Sequence, residues 1–322
     1  MTVSPTPEQW EYVHYSETER SENRTFIPGT ASLEKFTFGE WMLIPSLVIA
    51  LVGLVGNGLV LWLLGFRIKR NPFSVYILNL AGADTLFLCC HFVFYIVYFL
   101  KHFYYNGIIE MYILKNMFYV MGLSLLAAIS TERCLSVLFP IWYRCNRPRH
   151  MSAMVCTVLW TVATLLGVAE FVLCFNVYSY GFCLKYFITV SVWFLIFTPV
   201  MGLSSLTLLL RVQCTSGRRQ PHRLYLLVLL NVLVFLLCGL PMGIMNFLSF
   251  WHESVMPFWL LHLLACVNSS VNPFIYFFLG RQRHRRRKES FRVVLQRALG
   301  DEHEVGSGER NNPHTNSPET SC

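Results

Sequence analysis

Residues 42–66, 186–210, 224–250 and 255–279 run for 25, 25, 27 and 25 positions without one Asp, Glu, Lys or Arg. About 20 predominantly apolar residues are enough for a helix to cross the hydrocarbon of a bilayer. Three more stretches are nearly as free of charge. Residues 73–100 hold only Asp84, residues 151–175 only Glu170, and residues 112–138 hold Lys115 near one end and Glu132 with Arg133 near the other. Together the seven stretches take up 182 of 322 residues, which excludes a soluble globular enzyme and a disordered chain alike. Backbone inside lipid must satisfy its own hydrogen bonds, so each stretch is expected to be helical. The expected fold class is therefore an all-α membrane protein, a seven-transmembrane helix bundle.

The basic residues predict its orientation. With the amino terminus outside, the connections 67–72, 139–150 and 211–223 and the tail after Leu279 hold nineteen Lys and Arg. The leader and the loop with Lys101 hold four. Lys and Arg collect on the cytoplasmic side of membrane proteins, so the carboxyl terminus is expected there, at a plasma membrane. The net charge of +8 then faces anionic lipid, and no nucleic-acid partner is needed to explain it. Residues 1–41 form an extracellular leader with seven Glu and one sequon, Asn23-Arg24-Thr25, placed where glycosylation can reach it. No cleavable signal peptide is visible, so the first span is expected to serve as its own insertion signal. The triplet Asn268-Ser269-Ser270 falls inside the seventh span and should stay unmodified. Residues 42–279 form the bundle. Over 280–300 the apolar positions Phe291, Val294, Leu295, Ala298 and Leu299 recur at helical spacing opposite Arg292, Gln296 and Arg297, behind a basic run at 281–288. That pattern predicts a short amphipathic cytoplasmic helix 8 on the inner leaflet. Residues 301–322 are polar and expected to be disordered.

Polar residues in hydrocarbon are expensive, and each marks a candidate site. Asn57, Asp84, Asn268, Ser269 and Asn272 lie near mid-depth of the first, second and seventh spans. They can be interhelical glue or part of a switch. Pro199, Pro241 and Pro273 free carbonyls for kinks, although membrane helices tolerate Pro in any case. Of eleven cysteines only Cys174 and Cys183 sit together at the outer face. A bridge there would contribute about 2–3 kcal/mol through chain entropy, and two lipid-facing thiols are the alternative. Lys115 lies four residues before Tyr119 on one face of the third span, where it could meet a carboxylate. Glu170 lies one turn before Cys174, near the mouth of the bundle. The two could also neutralise each other or snorkel to the surface. Tyr112, Tyr119, Trp193, Phe247, Trp251 and Trp259 can line a pocket or form an interfacial belt. His91 and His262 read as helix–helix hydrogen-bonding residues, and no spacing of His, Cys or carboxylates predicts a metal site.

Gly56-Asn57, Leu80-Ala81-x-Ala83-Asp84, Trp160, Pro199, Pro241 and Asn272-Pro273-x-x-Tyr276 resemble, span by span and in order, the rhodopsin-type G-protein-coupled receptors. More narrowly, Ile129-Ser130-Thr131-Glu132-Arg133-Cys134-Leu135-Ser136-Val137-Leu138, followed by Pro140-Ile141-Trp142-Tyr143-Arg144-Cys145, resembles the Mas-related receptors. Leu63-Leu64-Gly65-Phe66, Tyr76-Ile77-Leu78-Asn79-Leu80 and Phe235-Leu236-Leu237-Cys238-Gly239-Leu240-Pro241 are similar to the same group. The resemblance implies an extracellular peptide or small-molecule ligand and a heterotrimeric G protein of the Gq or Gi type. It also implies arrestin and receptor kinases as further partners, and sensory or mast cells as the setting, for itch, pain or secretagogue detection. Arg133 and Tyr276 would stabilise an open state, and Asp84 with Asn272 would link the two ends of the bundle. Arg133, Arg144, Arg149 and the loop 211–223 would frame the cleft that receives the G protein.

Departures from the family pattern refine this. Glu132-Arg133-Cys134 replaces the usual Asp-Arg-Tyr, which leaves room for a restraining Glu132–Arg133 ion pair. Gly239 stands where most relatives carry tryptophan two residues before the span-six proline. A bulky rotamer switch is then excluded, and direct movement of a more open span six is expected instead. Ile108 replaces the usual cysteine at the top of span three, in keeping with the family's span-four to span-five bridge, here Cys174 to Cys183. Gly122 replaces the serine that often completes a sodium site around Asp84, so no cofactor is expected. The family's Glu at position 170 receives Lys or Arg of basic peptides, but its partner Asp is here Phe187, with Lys185 close by.

Rival functions fare worse. A retinal protein needs a lysine in its last span, and 255–279 has none. A transporter should show repeats or paired broken helices around a mid-membrane site. No repeat is visible and Asp84 is the one mid-span acid. No paired catalytic motif supports an intramembrane enzyme.

Overall fold

The structure is a computed structural model that describes residues 38–68, 71–99, 105–148, 150–176, 188, 191–193, 196–207, 210, 222–248, 256–281 and 295. The helices are α1 (Phe38–Trp62), α2 (Pro72–Phe99), α3 (Tyr105–Leu138), the short α4 (Pro140–Cys145) and α5 (Met151–Glu170). They continue with α6 (Ser191–Thr207), α7 (His222–Val234), α8 (Leu240–Leu248) and α9 (Phe258–Arg281). No strand occurs among the described residues. Wider π-helical turns extend α1 over Leu63–Arg67 and α5 over Phe171–Asn176, and join α7 to α8 over Phe235–Gly239.

Each of the seven charge-poor stretches carries helix. Five helical segments are long and apolar enough to cross a membrane unaided: Leu43–Arg67, Pro72–Phe99, Glu110–Leu138, Met151–Leu173 and Trp259–Phe278. The fifth and sixth stretches hold shorter apolar helices, Ser191–Thr207 and Leu229–Met245. The sixth is interrupted for a physical reason. Pro241 has no N–H to give the preceding turn, and the ladder loosens into the π-helical turn beside it.

The bundle is arranged around α3, the most buried of the long spans, while α5 is the least buried. α1 packs on α2 and α9, α2 on α3, and α3 on α5 and α7. Large apolar side chains point outward, with Val55, Leu165, Leu203 and Leu237 at 66%, 63%, 64% and 63% exposure. Outward Val and Leu suit lipid and would be a liability in water. Ser46, Asn57, Asp84, His91, Lys115 and Asn272 are buried inside instead. Apolar surface thus faces out and polar groups face in, as a bilayer solvent requires.

α1 approaches its neighbours through glycine. A Cβ on Gly53 would run into Ser270 Oγ and lie 2.7 Å from Leu88 Cδ1, and one on Gly56 would lie 3.2 Å from Pro273. The close approach lets Ser270 donate to the Ile49 carbonyl at 3.1 Å. The connection 139–150, read from the sequence only as a loop, contains α4, which opens on Pro140, where a missing N–H costs nothing. The leader with Asn23, the residues of the 280–300 helix beyond Arg281 except Leu295, and the tail lie outside the described residues. Leu295 itself is buried against the core.

Gly53→Ala should lower the unfolding temperature of the purified protein, because overpacking costs about 1–3 kcal/mol. Gly58→Ala, whose Cβ would meet nothing within 4 Å, should be neutral. Equal effects from the two would show that α1 does not pack through Gly53.

Candidate functional site

α1, α2 and α9 bring the mid-membrane polar residues together. Asn57 Nδ2 donates to the Gly53 and Ser269 carbonyls, both at 3.0 Å. Asn272 Nδ2 donates to Asp84 Oδ2 at 2.8 Å. Asn268, Ser269 and Ser270 are buried, so the sequon-like triplet is out of reach of glycosylation. Beside Asp84, the place of a Gly122 Cβ lies 3.5 Å from Asp84 Oδ1, so α3 supplies no hydroxyl there. No group of three potential metal ligands occurs among the described residues.

At the other end of α3, Glu132 does not pair with Arg133, the partner for which the sequence left room. Arg147, from the stretch after α4, makes a buried salt bridge to Glu132 Oε1, with Nε at 2.8 Å. Tyr143 of α4 donates to the same oxygen at 2.9 Å, and Arg147 Nη2 reaches Ser152 Oγ at 2.6 Å. Burial, then the Glu132 carboxylate, push the Tyr143 phenol up to about 12, so it acts as a neutral donor. Adjacent residues on a helix point in different directions. Arg133 accordingly faces away and lays its guanidinium 3.5 Å from the centre of the Phe73 ring. The expected Glu132–Arg133 pair is thus replaced by Glu132–Arg147. Tyr276 is buried, its hydroxyl without a hydrogen-bond partner.

Gly239 closes the π-helical turn before Pro241. A Cβ on it would sit 2.9 Å from Phe235 Cδ2 and 3.3 Å from both Asn268 Oδ1 and Leu123 Cδ2. The place of the missing tryptophan is therefore filled by Phe235 and its neighbours, and span six is not open here. Tyr119 reaches across from α3 and donates its hydroxyl to the Gly239 carbonyl. Trp193 is tied to α3 by its N–H on Ser124 Oγ at 3.0 Å, and Trp160 to α2 by its N–H on Asn79 Oδ1 at 3.0 Å.

One turn outward from Tyr119, Lys115 is fully buried, 4.9, 5.3 and 5.9 Å from the ring centres of Phe94, Tyr112 and Tyr95. Its Nζ lies 3.5 Å from His262 Nδ1. Glu170 is buried too, with Asn116 Nδ2 at 3.4 Å from Oε1. Neither side chain snorkels, because the long spans carry both well inside the bundle. His91 contacts Ser46 Oγ at 3.1 Å, the helix–helix hydrogen bond expected of it. The side chains of Phe247 and Cys174, and residues Trp251 and Cys183, lie outside the described residues.

The family profile described as 7 transmembrane receptor (rhodopsin family) matches residues 56–276. The Mas-related G-protein coupled receptor member X2 of Macaca mulatta is 48% identical over 279 residues, 82% of this chain and 84% of that protein. Member X2 of Homo sapiens is 47% identical over 289 residues, 84% of this chain and 87% of that protein. Member B2 of Mus musculus is 43% identical over 302 residues, 88% of each chain.

The chain belongs to the Mas-related branch of the rhodopsin family of seven-transmembrane receptors. It is a membrane-embedded G-protein-coupled receptor, not an enzyme, and its class implies an extracellular ligand and a G protein. In this Mas-related receptor, sequence reasoning misses Arg147 and Tyr143 as partners of span three, and Ser152 as the second partner of Arg147. Arg147 was counted only as a cytoplasmic charge, and nothing short of the turn made by α4 aims it back at Glu132.

Breaking the buried pair from one side strands a charge, so Arg147→Met should destabilise the receptor by about 3–5 kcal/mol. Glu132→Gln with Arg147→Met should cost less than the two single changes summed. Additive effects in a thermal-unfolding cycle would show that the two residues are uncoupled.

Proposed function

We propose that this receptor lies in the plasma membrane with its amino terminus outside. It takes a small-molecule or peptide ligand in the outer half of the bundle, and it releases span six to admit a heterotrimeric G protein of the Gq or Gi type. The observation that carries the reading is the tie from Tyr119 to the Gly239 carbonyl. That tie joins α3, one turn inward of Lys115, to the backbone of span six at its π-helical turn. A ligand contacting Lys115, Tyr112 or Glu170 shifts the balance between closed and open states only by binding one of them better. Gly239 gives span six no side-chain switch, so the hydrogen bond itself is the holding contact. Opening frees the cytoplasmic cleft around Arg133, where Arg133 and Tyr276 support the open arrangement, while Asp84 with Asn272 links the two ends of the bundle. Arrestin and receptor kinases act on the same face and on the tail. From the sequence alone we further assign Phe247 and Trp251 to the ligand's aromatic contacts, and a Cys174–Cys183 bridge one turn from Glu170. The setting we propose for it, by family resemblance, is sensory or mast cells, in itch, pain or secretagogue detection. None of these steps requires a cofactor.

Nucleotide exchange on purified G protein tests the reading. Arg133→Ala should reduce agonist-driven exchange at least tenfold, and exchange equal to that of the parent receptor would remove Arg133 from the mechanism. Tyr119→Phe deletes one hydrogen bond, worth about 1 kcal/mol net, so agonist-independent exchange should rise roughly fivefold. Unchanged or lower basal exchange would show that the tie does not hold the closed state. Glu170→Gln should shift agonist potency without changing the maximal response.

A further inference from the structure

Lys115 sits in a buried chamber of closely packed side chains contributed by three helices. His91 and Tyr95 come from α2, Lys115 from α3 and His262 from α9. The ring centres of His91 and Tyr95 are 4.7 Å apart, those of His91 and His262 5.8 Å, and those of Tyr95 and His262 5.7 Å. All four side chains are buried, at 0%, 2%, 0% and 1% exposure for His91, Tyr95, Lys115 and His262. The chamber therefore concentrates basic groups where the surrounding solvent is hydrocarbon.

The protons can be placed by elimination. Ser46 gives its single hydroxyl proton to the Leu43 carbonyl at 2.6 Å. Its contact with His91 Nε2 is therefore an N–H donated by the imidazole; a second proton on Nδ1 would be buried with no acceptor, so the ring is neutral and Nδ1 carries a lone pair. An ammonium only donates, so the His262 Nδ1 atom beside Lys115 accepts, and that ring is neutral as well. The charge in the chamber is then that of Lys115 alone. Among the described residues no carboxylate lies within ion-pair reach of Lys115, and the ion pair found there is Glu132–Arg147 at the opposite end of the bundle. The Tyr95 hydroxyl and His91 Nδ1 are buried without hydrogen-bond partners. Aromatic faces and one long contact to His262 offset only part of the cost of burying an ammonium. Phe94 and Tyr112 are the half-buried rings over the ammonium, the least enclosed of the side chains packed on it.

We propose that this chamber is an anion subsite that receives the carboxylate of the receptor's extracellular ligand. One carboxylate oxygen takes N–H bonds from Lys115 and the other takes the Tyr95 hydroxyl, while neutral His91 and His262 form the walls. The subsite rests on the outer-pocket reading above and adds the ligand's charge to it. It opposes the cationic preference that Glu170 alone would suggest, because Lys115 lies one turn from Tyr119 and the span-six tie.

The test uses the full-length receptor in nanodiscs and a library of aryl and alicyclic carboxylic acids, each beside its methyl ester. Thermal unfolding should find acids that stabilise the receptor at concentrations at least tenfold lower than their esters. Lys115→Met should erase that preference, Lys115→Arg should keep part of it, and Tyr95→Phe should weaken it. Without any ligand, Lys115→Met should raise the unfolding temperature, since it replaces a buried unpaired charge by an apolar side chain of similar length. A lower unfolding temperature, equal stabilisation by acids and esters, no acid-selective binder in the library, or a preference that survives Lys115→Met would each overturn the assignment. G-protein exchange by the Arg133→Ala variant reads the signalling mechanism separately. Failure of that mechanism leaves the acid-over-ester result intact, and failure of the subsite leaves the Arg133 result intact.

Discussion

In hydrocarbon no water is available to satisfy a polar group, so each one must find its partner inside the chain or remain costly. This single constraint organises the whole receptor. It makes the seven charge-poor stretches helical, turns Val55, Leu165 and Leu203 outward, and draws Asn57 inward onto the Ser269 carbonyl and Asn272 onto Asp84. It also separates paired charges from unpaired ones. Glu132 is satisfied by Arg147 and Tyr143, whereas Lys115 is surrounded by rings and a neutral imidazole. The first arrangement fits a structural clamp, and the second fits a place where charge arrives from outside.

Along α3 these elements form a single axis. Lys115 lies in the first half of α3, Tyr119 holds the Gly239 carbonyl one turn further on, Gly122 stands beside Asp84, and Glu132 anchors the α4 region near the helix's last turn. Span six meets this axis where its own ladder is weakest, at the π-helical turn before Pro241. A bond between a side chain and a main-chain carbonyl suits a holding contact, because it needs no bulky residue on span six. The packing around Gly239 excludes one in any case, since even a Cβ would lie 2.9 Å from Phe235.

Much of this was legible in the sequence, for an identifiable reason. Absence of charge over 25 residues is a one-dimensional property, and so is the sorting of Lys and Arg between loops. The span positions and the family followed from such linear patterns. The convergence of Asn57, Asp84 and Asn272 could be anticipated because each lies at a similar depth. The partner of Glu132 could not, because the neighbour in sequence, Arg133, points to Phe73 while Arg147 returns through α4. Lys115 drew notice as a charge in a span, but its surroundings depend on how α2, α3 and α9 rotate about their axes. Only the bundle brings His91 and His262 together around it. The filled space at Gly239 was hidden for the same reason, since a glycine in sequence looks like room.

The central claim is that span six is held against α3 in the closed state and swings away from it when the receptor signals. Spin labels at Asn146, after α4, and Leu226, in the first turns of α7, occupy exposed positions at the end of the bundle that holds Glu132. Electron–electron double resonance between them, in receptor alone and with agonist and G protein, measures the separation directly. The account predicts a second population, longer by several ångström, that grows with agonist and is already enriched by Tyr119→Phe. A single unchanged distance in a receptor that activates its G protein would contradict it.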